Sequence, residues 1–258
     1  MASLADLEFR LSGGASNTDP DASIGGVRST ERVQAQSASG ISNVTGVTID
    51  YAAGNALGNG TFAYTQSTSI ISWTPNGGSA GTVDISAGNG KYAVQSGNGY
   101  LAFTVVAASL PGSDQADTIT IANIANEIFD DIAKSESFNG DIEYRCIYVY
   151  WNHATDDVFG VKAYIASQPS GADTLAIGLD PAGVGNGTST GVADTPADES
   201  TAPSGVTFSA PANAASGLSI GDLSPGEGIG LWIRRTIAAA TVTAAPNDLS
   251  QLGFQINV

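Results

Sequence analysis

Apolar and polar residues alternate along this chain in short blocks separated by Gly, Asn, Asp and Pro. In LADLEFRL (4–11), Leu7, Phe9 and Leu11 fall on one face and Glu8 and Arg10 on the other, the period of a half-buried strand. Further strand runs are VTGVTIDYA (44–52), TFAYTQSTSIISWT (61–74, with a break inside it), TVDIS (82–86), KYAVQ (91–95), GYLAFTVVAA (99–108) and DTITIA (117–122). AGNG (87–90) supplies the residues that tolerate positive φ in a tight hairpin turn. One stretch breaks the pattern. In IANIANEIFDDIA (121–133), Ile121, Ile124, Ala125, Ile128, Phe129 and Ile132 recur at helical spacing, which predicts a short helix or irregular connector.

The second half opens with GDIEYRCIYVYWNH (140–153), which holds the only cysteine, the only histidine and one of three tryptophans. Ile142, Tyr144, Cys146, Tyr148 and Tyr150 share one face. Glu143 and Arg145 begin the other, which turns apolar with Ile147, Val149 and Trp151. A strand apolar on both faces belongs in the middle of a packed sandwich. VFGVKAYIAS (158–167), TLAIGLD (174–180), VTF (206–208), GLSIGDL (217–223), GIGLWIRRTI (228–237) and LGFQINV (252–258) bring the half to about seven strands, with a long polar loop over 181–205. That count suits an Ig-like sandwich.

The pattern therefore predicts an all-β protein of two β-sandwich domains: a jelly-roll-like one over 1–135 and an Ig-like one over 136–258. Lysine occurs only at Lys91, Lys134 and Lys162, which agrees with the lack of long wet helices. With 258 residues, each half is large enough to bury a core. The start MASLADLEF lacks the basic and apolar regions of a signal peptide, and no run approaches a membrane span. The expectation is a soluble product made in a cytoplasm, with no membrane partner.

Nine basic residues against twenty-five acidic ones give a formal net charge of -16. Nucleic-acid binding needs basic patches, so it is excluded as an expected role.

Candidate chemistry is sparse. A cysteine nucleophile needs a base within hydrogen-bond reach. Seven residues of extended chain separate Cys146 from His153 by roughly 20 Å, so packing roles are expected for both. Zinc sites built from several Cys and His are excluded. Asp19, Asp21 and Ser23 place oxygens at alternate positions, as the start of a calcium loop would. However, glycine falls at Gly25, and Thr30 stands where the bidentate glutamate belongs, so a solvated Asx-turn loop is the competing reading. No cofactor is expected beyond this calcium candidate. Glu127, Asp130 and Asp131 cluster without a spacing that marks a glycosidase pair. P-loop, GxSxG and HExxH motifs are missing from the sequence. Trp73, Trp151 and Trp232 lie within strands, where core packing competes with sugar stacking.

Three stretches, DIEYRCIYVYWNHATDDVFGVKAYIASQPSGADTLAIGLDPAG (141–183), ADESTAPSGVTFSAP (197–211) and GLSIGDLSPGEGIGLWIRRTI (217–237), resemble a recurrent module of virion structural proteins in tailed bacteriophages. LEFRLSGGASNTDPDASIGGVRS (7–29) resembles the start of the same proteins. The resemblance implies a capsid-decoration or tail-associated β-sandwich protein without catalytic residues. It would assemble as a homo-oligomer with copies of itself and with other virion proteins. Trp151 and Trp232 are the interface or structural candidates, with Arg234 and Arg235 of the LWIRRT stretch. The two arginines are adjacent in a strand, so they are expected to face opposite ways, and at least one to meet a carboxylate.

Overall fold

A computed structural model describes residues 6–33, 36–54, 58–96, 99–123, 128–171, 173–239 and 250–257. Among these residues the chain is all-β, with fifteen strands, one short α-helix and two single-turn 3-10 helices. In the first half the strands are β1 (Leu7–Leu11), β2 (Gln36–Ser39), β3 (Val47–Gly54), β4 (Gly58–Thr65), β5 (Ile70–Pro75), β6 (Gly81–Asp84), β7 (Gly90–Ser96), β8 (Gly99–Val105) and β9 (Gln115–Asn123). Helix α1 (Lys134–Asn139) follows, then β10 (Asp141–Trp151), β11 (Val158–Ser167), β12 (Asp173–Leu179), β13 (Leu218–Leu223), β14 (Gly228–Ile237) and β15 (Gln251–Asn257).

The chain forms two compact units, one of residues 34–127 and one of residues 1–33 together with 128–258. This differs from the expected division into 1–135 and 136–258. The reason is that β1 pairs antiparallel with β10, Leu7 opposite Trp151 and Leu11 opposite Ile147. The helical spacing over 121–133 also resolves otherwise. Ile121 is a buried strand residue of β9, and Ile128 and Phe129 pack against the core of the discontinuous unit. The helix comes later, at α1, where the Glu136 carboxylate accepts the Ala133 N–H and Gly140 ends the turn at φ 78°. Residues 124–127 lie outside the described ones.

In the unit of 34–127, a five-stranded sheet (β2-β9-β4-β5-β6) faces a three-stranded one (β3-β8-β7). Phe62, Ile71, Trp73 and Ile119 from the first meet Val94, Leu101, Phe103 and Val105 from the second. Phe62 and Phe103 stack edge to face with centroids 5.5 Å apart. AGNG does not close a hairpin. β6 pairs with β5 and β7 with β8, so the turn at Gly88 (φ 92°) carries the chain from one sheet to the other.

One carboxylate anchors this unit. Asp117 lies on the core face of β9, two residues before Ile119, and is buried. It accepts the backbone N–H groups of Ser42, Asn43 and Val44 and the Ser42 hydroxyl, which tucks Val44 fully into the core. Burial alone would raise its pKa, but the N–H groups of Val44, Asn43 and Ser42 and the Ser42 hydroxyl outweigh it and hold the pKa at about 2.

In the discontinuous unit, β1-β10-β14-β12 form one sheet and β13-β11-β15 the other. Its core holds Ile147, Val149, Trp151, Ile177, Leu231 and Ile233 from the first sheet and Val161, Ala163, Ile165 and Leu223 from the second. The run 206–208 is not a strand; the neighbouring Ser209 makes only an isolated bridge to Ile177. No helix among the described residues is long and apolar enough to cross a membrane.

Replacing Asp117 by Asn removes the charge from these bonds and should cost the unit of 34–127 about 2 kcal/mol. The folded pKa lies below the unfolded value, so this stabilisation is present above about pH 4 and is lost as pH falls toward about 2. Hydrogen exchange resolved by segment is the measurement. Faster exchange in β3, β8 and β9, with β10 and β14 unchanged, is the expected outcome.

Candidate functional site

β10 is the strand on which a functional site would have to be built, because it carries the cysteine and precedes the histidine. It lies between β1 and β14, and Tyr144 to Val149 are all buried. Its two faces solve different problems.

On the core face, Glu143 stands directly opposite Arg235 of β14, and both are buried. Arg235 Nε donates to Glu143 Oε2 at 2.6 Å, and its Nη1 to the Asp130 carbonyl at 2.8 Å. Burial pushes the Glu143 pKa up, while the Arg235 charge pulls it back. One turn of the pleat further on, Arg145 is 1% exposed and meets Glu199 at 2.5 Å and Asp21 at 3.8 Å. The Phe129 ring serves both arginines, 4.8 Å from the Arg235 guanidinium carbon and 5.5 Å from that of Arg145.

On the outer face, two loops replace a second sheet. Gly26 N–H donates to the carbonyls of Ala193 and Asp194, and Arg28 N–H to Gly187, so residues 12–31 and 180–199 are tied together over the strand. Tyr148 fixes both. Its hydroxyl donates to the Gly26 carbonyl at 2.7 Å and accepts the Ala193 N–H at 2.8 Å. Burial raises its pKa to about 12. Trp232, opposite Cys146, donates its indole N–H to Asp180 Oδ2 at 2.8 Å. The fit depends on glycine at two places. A Cβ at Gly25 (φ 93°) would stand 1.8 Å from the Asp194 carbonyl oxygen, and one at Gly230 3.1 Å from Asp180 Cβ and 3.4 Å from Cys146 Sγ.

Cys146 is fully buried in this cluster, and its thiol pKa is raised well above the ordinary value, chiefly by burial. The thiol is held in its unreactive form. His153 lies beyond the end of β10. Its Nδ1 accepts the N–H groups of Thr155 and Asp156, and its ring stacks on Trp151 at 5.9 Å. The two residues are thus built into separate parts of the scaffold.

Each other sequence candidate has a place. Trp73, Trp151 and Trp232 are each 0% exposed, so none offers a stacking surface for a sugar. Trp151 donates its indole N–H to the Asp156 carbonyl at 2.7 Å. Arg234 faces away from Arg235 and lies 5.1 Å over the Phe208 ring. In the loop 19–23, Asp19 Oδ1 accepts the Asp21 N–H, Asp21 points toward Arg145, and Ser23 is buried with its hydroxyl 3.2 Å from the Asn17 amide. These are the bonds of a capped turn. Among the described residues, three carboxylates come within 4.8 Å of one another elsewhere, at Glu136, Asp141 and Glu143.

Alternation in LEFRL predicts Glu8 on the wet face of β1. It is 1% exposed, because residues 29–33 run alongside that strand and Arg10, Arg32 and Asn152 close on its carboxylate. Comparison of the chain with family models, with curated proteins and with solved structures gave no match.

Arg235→Ala leaves Glu143 buried and unpaired, and should destabilise the discontinuous unit by about 3–5 kcal/mol. Arg234→Ala removes one partly exposed ring contact and should cost less than about 1 kcal/mol. Equilibrium urea unfolding separates the two, and equal small losses would contradict the buried pair.

Tyr148 gives an alkaline signature. Its folded pKa lies above the unfolded value of about 10, so the neutral hydroxyl stabilises below about pH 10 and that contribution disappears as pH rises toward about 12. The stability difference between wild type and Tyr148→Phe, measured by urea unfolding, should be constant near neutrality and shrink across that window. A difference that stays level to pH 12 would contradict the assignment.

Proposed function

We propose that this chain is a structural component of a bacteriophage virion, acting by self-assembly and interface burial without catalysis. The position argued for is an outer capsid decoration or cement protein, or a component of the tail. The observation that carries this reading is the use of 140–153. Cys146, His153, Tyr148 and Trp151, the residues with the most chemical potential, are all bonded or packed into the scaffold. The resemblance of 141–183, 197–211 and 217–237 to virion structural proteins points the same way. Partners would be copies of the chain and other virion proteins, met in the host cytoplasm and retained in the particle.

The finer fold reading belongs with this proposal. Among its described residues the unit of 34–127 has eight strands, with first paired to last (β2 with β9) and second to second-last (β3 with β8), which supports a jelly-roll-like description. β4 then pairs with β5, where a jelly roll would join the third strand to the sixth. The discontinuous unit has the four-plus-three count of an Ig-like sandwich. Relative to the immunoglobulin order, its fifth and sixth strands (β13 and β14) exchange sheets.

A receptor- or glycan-binding adhesin of the tail is the alternative. It loses its simplest platform, since the three tryptophans are buried.

Immunogold electron microscopy of purified phage particles, with an antibody to this chain, tests the proposal. Label over the head supports decoration, and label confined to the tail supports a tail component or the adhesin. Unlabelled particles that lack the chain by mass spectrometry would overturn the virion assignment.

A further inference from the structure

The junction of α1 and β10 differs from the rest of the discontinuous unit. An open groove of about 520 Å³ is lined by Asn139, Gly140, Asp141, Ile142, Thr236 and Ile237, among others. Ile142 is 42% exposed although it sits in the central strand, and Phe138, next to the lining residue Asn139, is 75% exposed. Both are large apolar side chains left exposed at this junction by the described residues, Ile142 in the lining of the groove and Phe138 one residue before that lining in the chain.

The acids around it are not balanced. Glu136, Asp141 and Glu143 bring carboxylate oxygens within 4.8 Å of one another. Glu143 is answered by Arg235. Glu136 and Asp141 accept only backbone N–H groups, from Ala133 and Ile142, and among the described residues neither meets a cation. Two partly exposed, unneutralised carboxylates beside an apolar groove complement a segment that carries a cation flanked by apolar side chains.

We propose that this groove docks such a basic, apolar segment of a different protein. A guanidinium or ammonium would stand between Glu136 and Asp141, and a neighbouring aliphatic side chain would cover Phe138 and Ile142. A second copy of the chain fits poorly. Each copy carries a net charge of -16, and five of its six arginines, Arg10, Arg28, Arg32, Arg145 and Arg235, are engaged with its own carboxylates or carbonyls. The assignment stands on the groove itself and is independent of the virion reading.

The test is fluorescence anisotropy of a labelled peptide of alternating leucine and arginine, titrated with the full chain at low and high salt. Phe138→Ala changes no charge and removes an exposed side chain, so it separates docking from bulk attraction to an acidic protein. Binding should weaken about tenfold in Phe138→Ala. It should also weaken in the double variant Glu136→Gln, Asp141→Asn, and with rising salt. Circular dichroism confirms that the variants are folded. Equal affinity of wild type and Phe138→Ala would overturn the proposal, as would failure of the peptide to bind. Sedimentation that reveals a dimer abolished by Phe138→Ala would assign the groove to a second copy. Peptide binding that is lost on adding calcium and restored by chelator would assign the acids to a metal ion. Either result would overturn it.

Discussion

Burying β10 on both faces is the constraint from which the rest of the discontinuous unit follows. The strand begins with charged residues, and its core face must place Glu143 and Arg145 away from water. An unpaired charge there would cost several kcal/mol, so each needs a partner in fixed geometry. Arg235 answers Glu143 from the directly opposed position on β14. The segment Ile128–Asp130 then closes that end of the sandwich, supplying the Asp130 carbonyl to one guanidinium and the Phe129 ring to both. The parity of a strand does the rest. With Arg235 committed inward, Arg234 faces outward to Phe208.

The outer face shows why so much of this chain is Gly, Ser, Thr and Asp. The segments 12–31 and 180–199 look like linkers by composition, yet together with Val206 and Phe208 they form the wall over Tyr144, Cys146, Tyr148 and Trp232. A wall of irregular backbone must satisfy its own N–H and C=O groups. Here Tyr148, Asp180 and the paired loop backbones do so. Close approach of backbone to sheet leaves no room for side chains at Gly25 and Gly230. A composition that would suit disorder is thus the composition of a thin, hydrogen-bonded layer.

Strand identity was readable where alternation is local. The bounds 141–151, 158–167 and 228–237 follow from periodicity alone, and they match β10, β11 and β14. The separation of Cys146 from His153 was also readable, because strand rise fixes it. What could not be read is pairing at long range. LEFRL looks the same whether it joins the strands that follow it or β10, some 140 residues later. AGNG has the chemistry of a hairpin turn, but whether the flanking strands share a sheet depends on their other partners. Asp117 resembled any polar residue opening a strand. Its anchoring role exists only because residues 42–44, far off in sequence, arrive at its carboxylate. The pairing of Arg235 was half legible: its inward or outward choice was binary, but its partner was not encoded nearby.

Charge bears on the self-assembly proposed for this chain. Among the described residues five acids (Asp6, Glu8, Asp117, Glu143 and Asp180) and two arginines (Arg145 and Arg235) are buried, and the rest of the acidic excess lies at the surface. The three lysines are too few to offset it. Exposed like charges are screened beyond about 8 Å at physiological salt, so two copies can approach, but a close contact must avoid apposing carboxylates. The proposed contacts between copies would therefore fall on surface of low charge. The outer side of β4, β5 and β9, with Thr61, Ala63, Ser72, Thr74, Thr118 and Thr120, has that character. The junction of α1 and β10 differs, with exposed Phe138 and Ile142 and the clustered carboxylates of Glu136 and Asp141. Under the two proposals above, copies of the chain would meet on the first surface and a basic neighbour on the second.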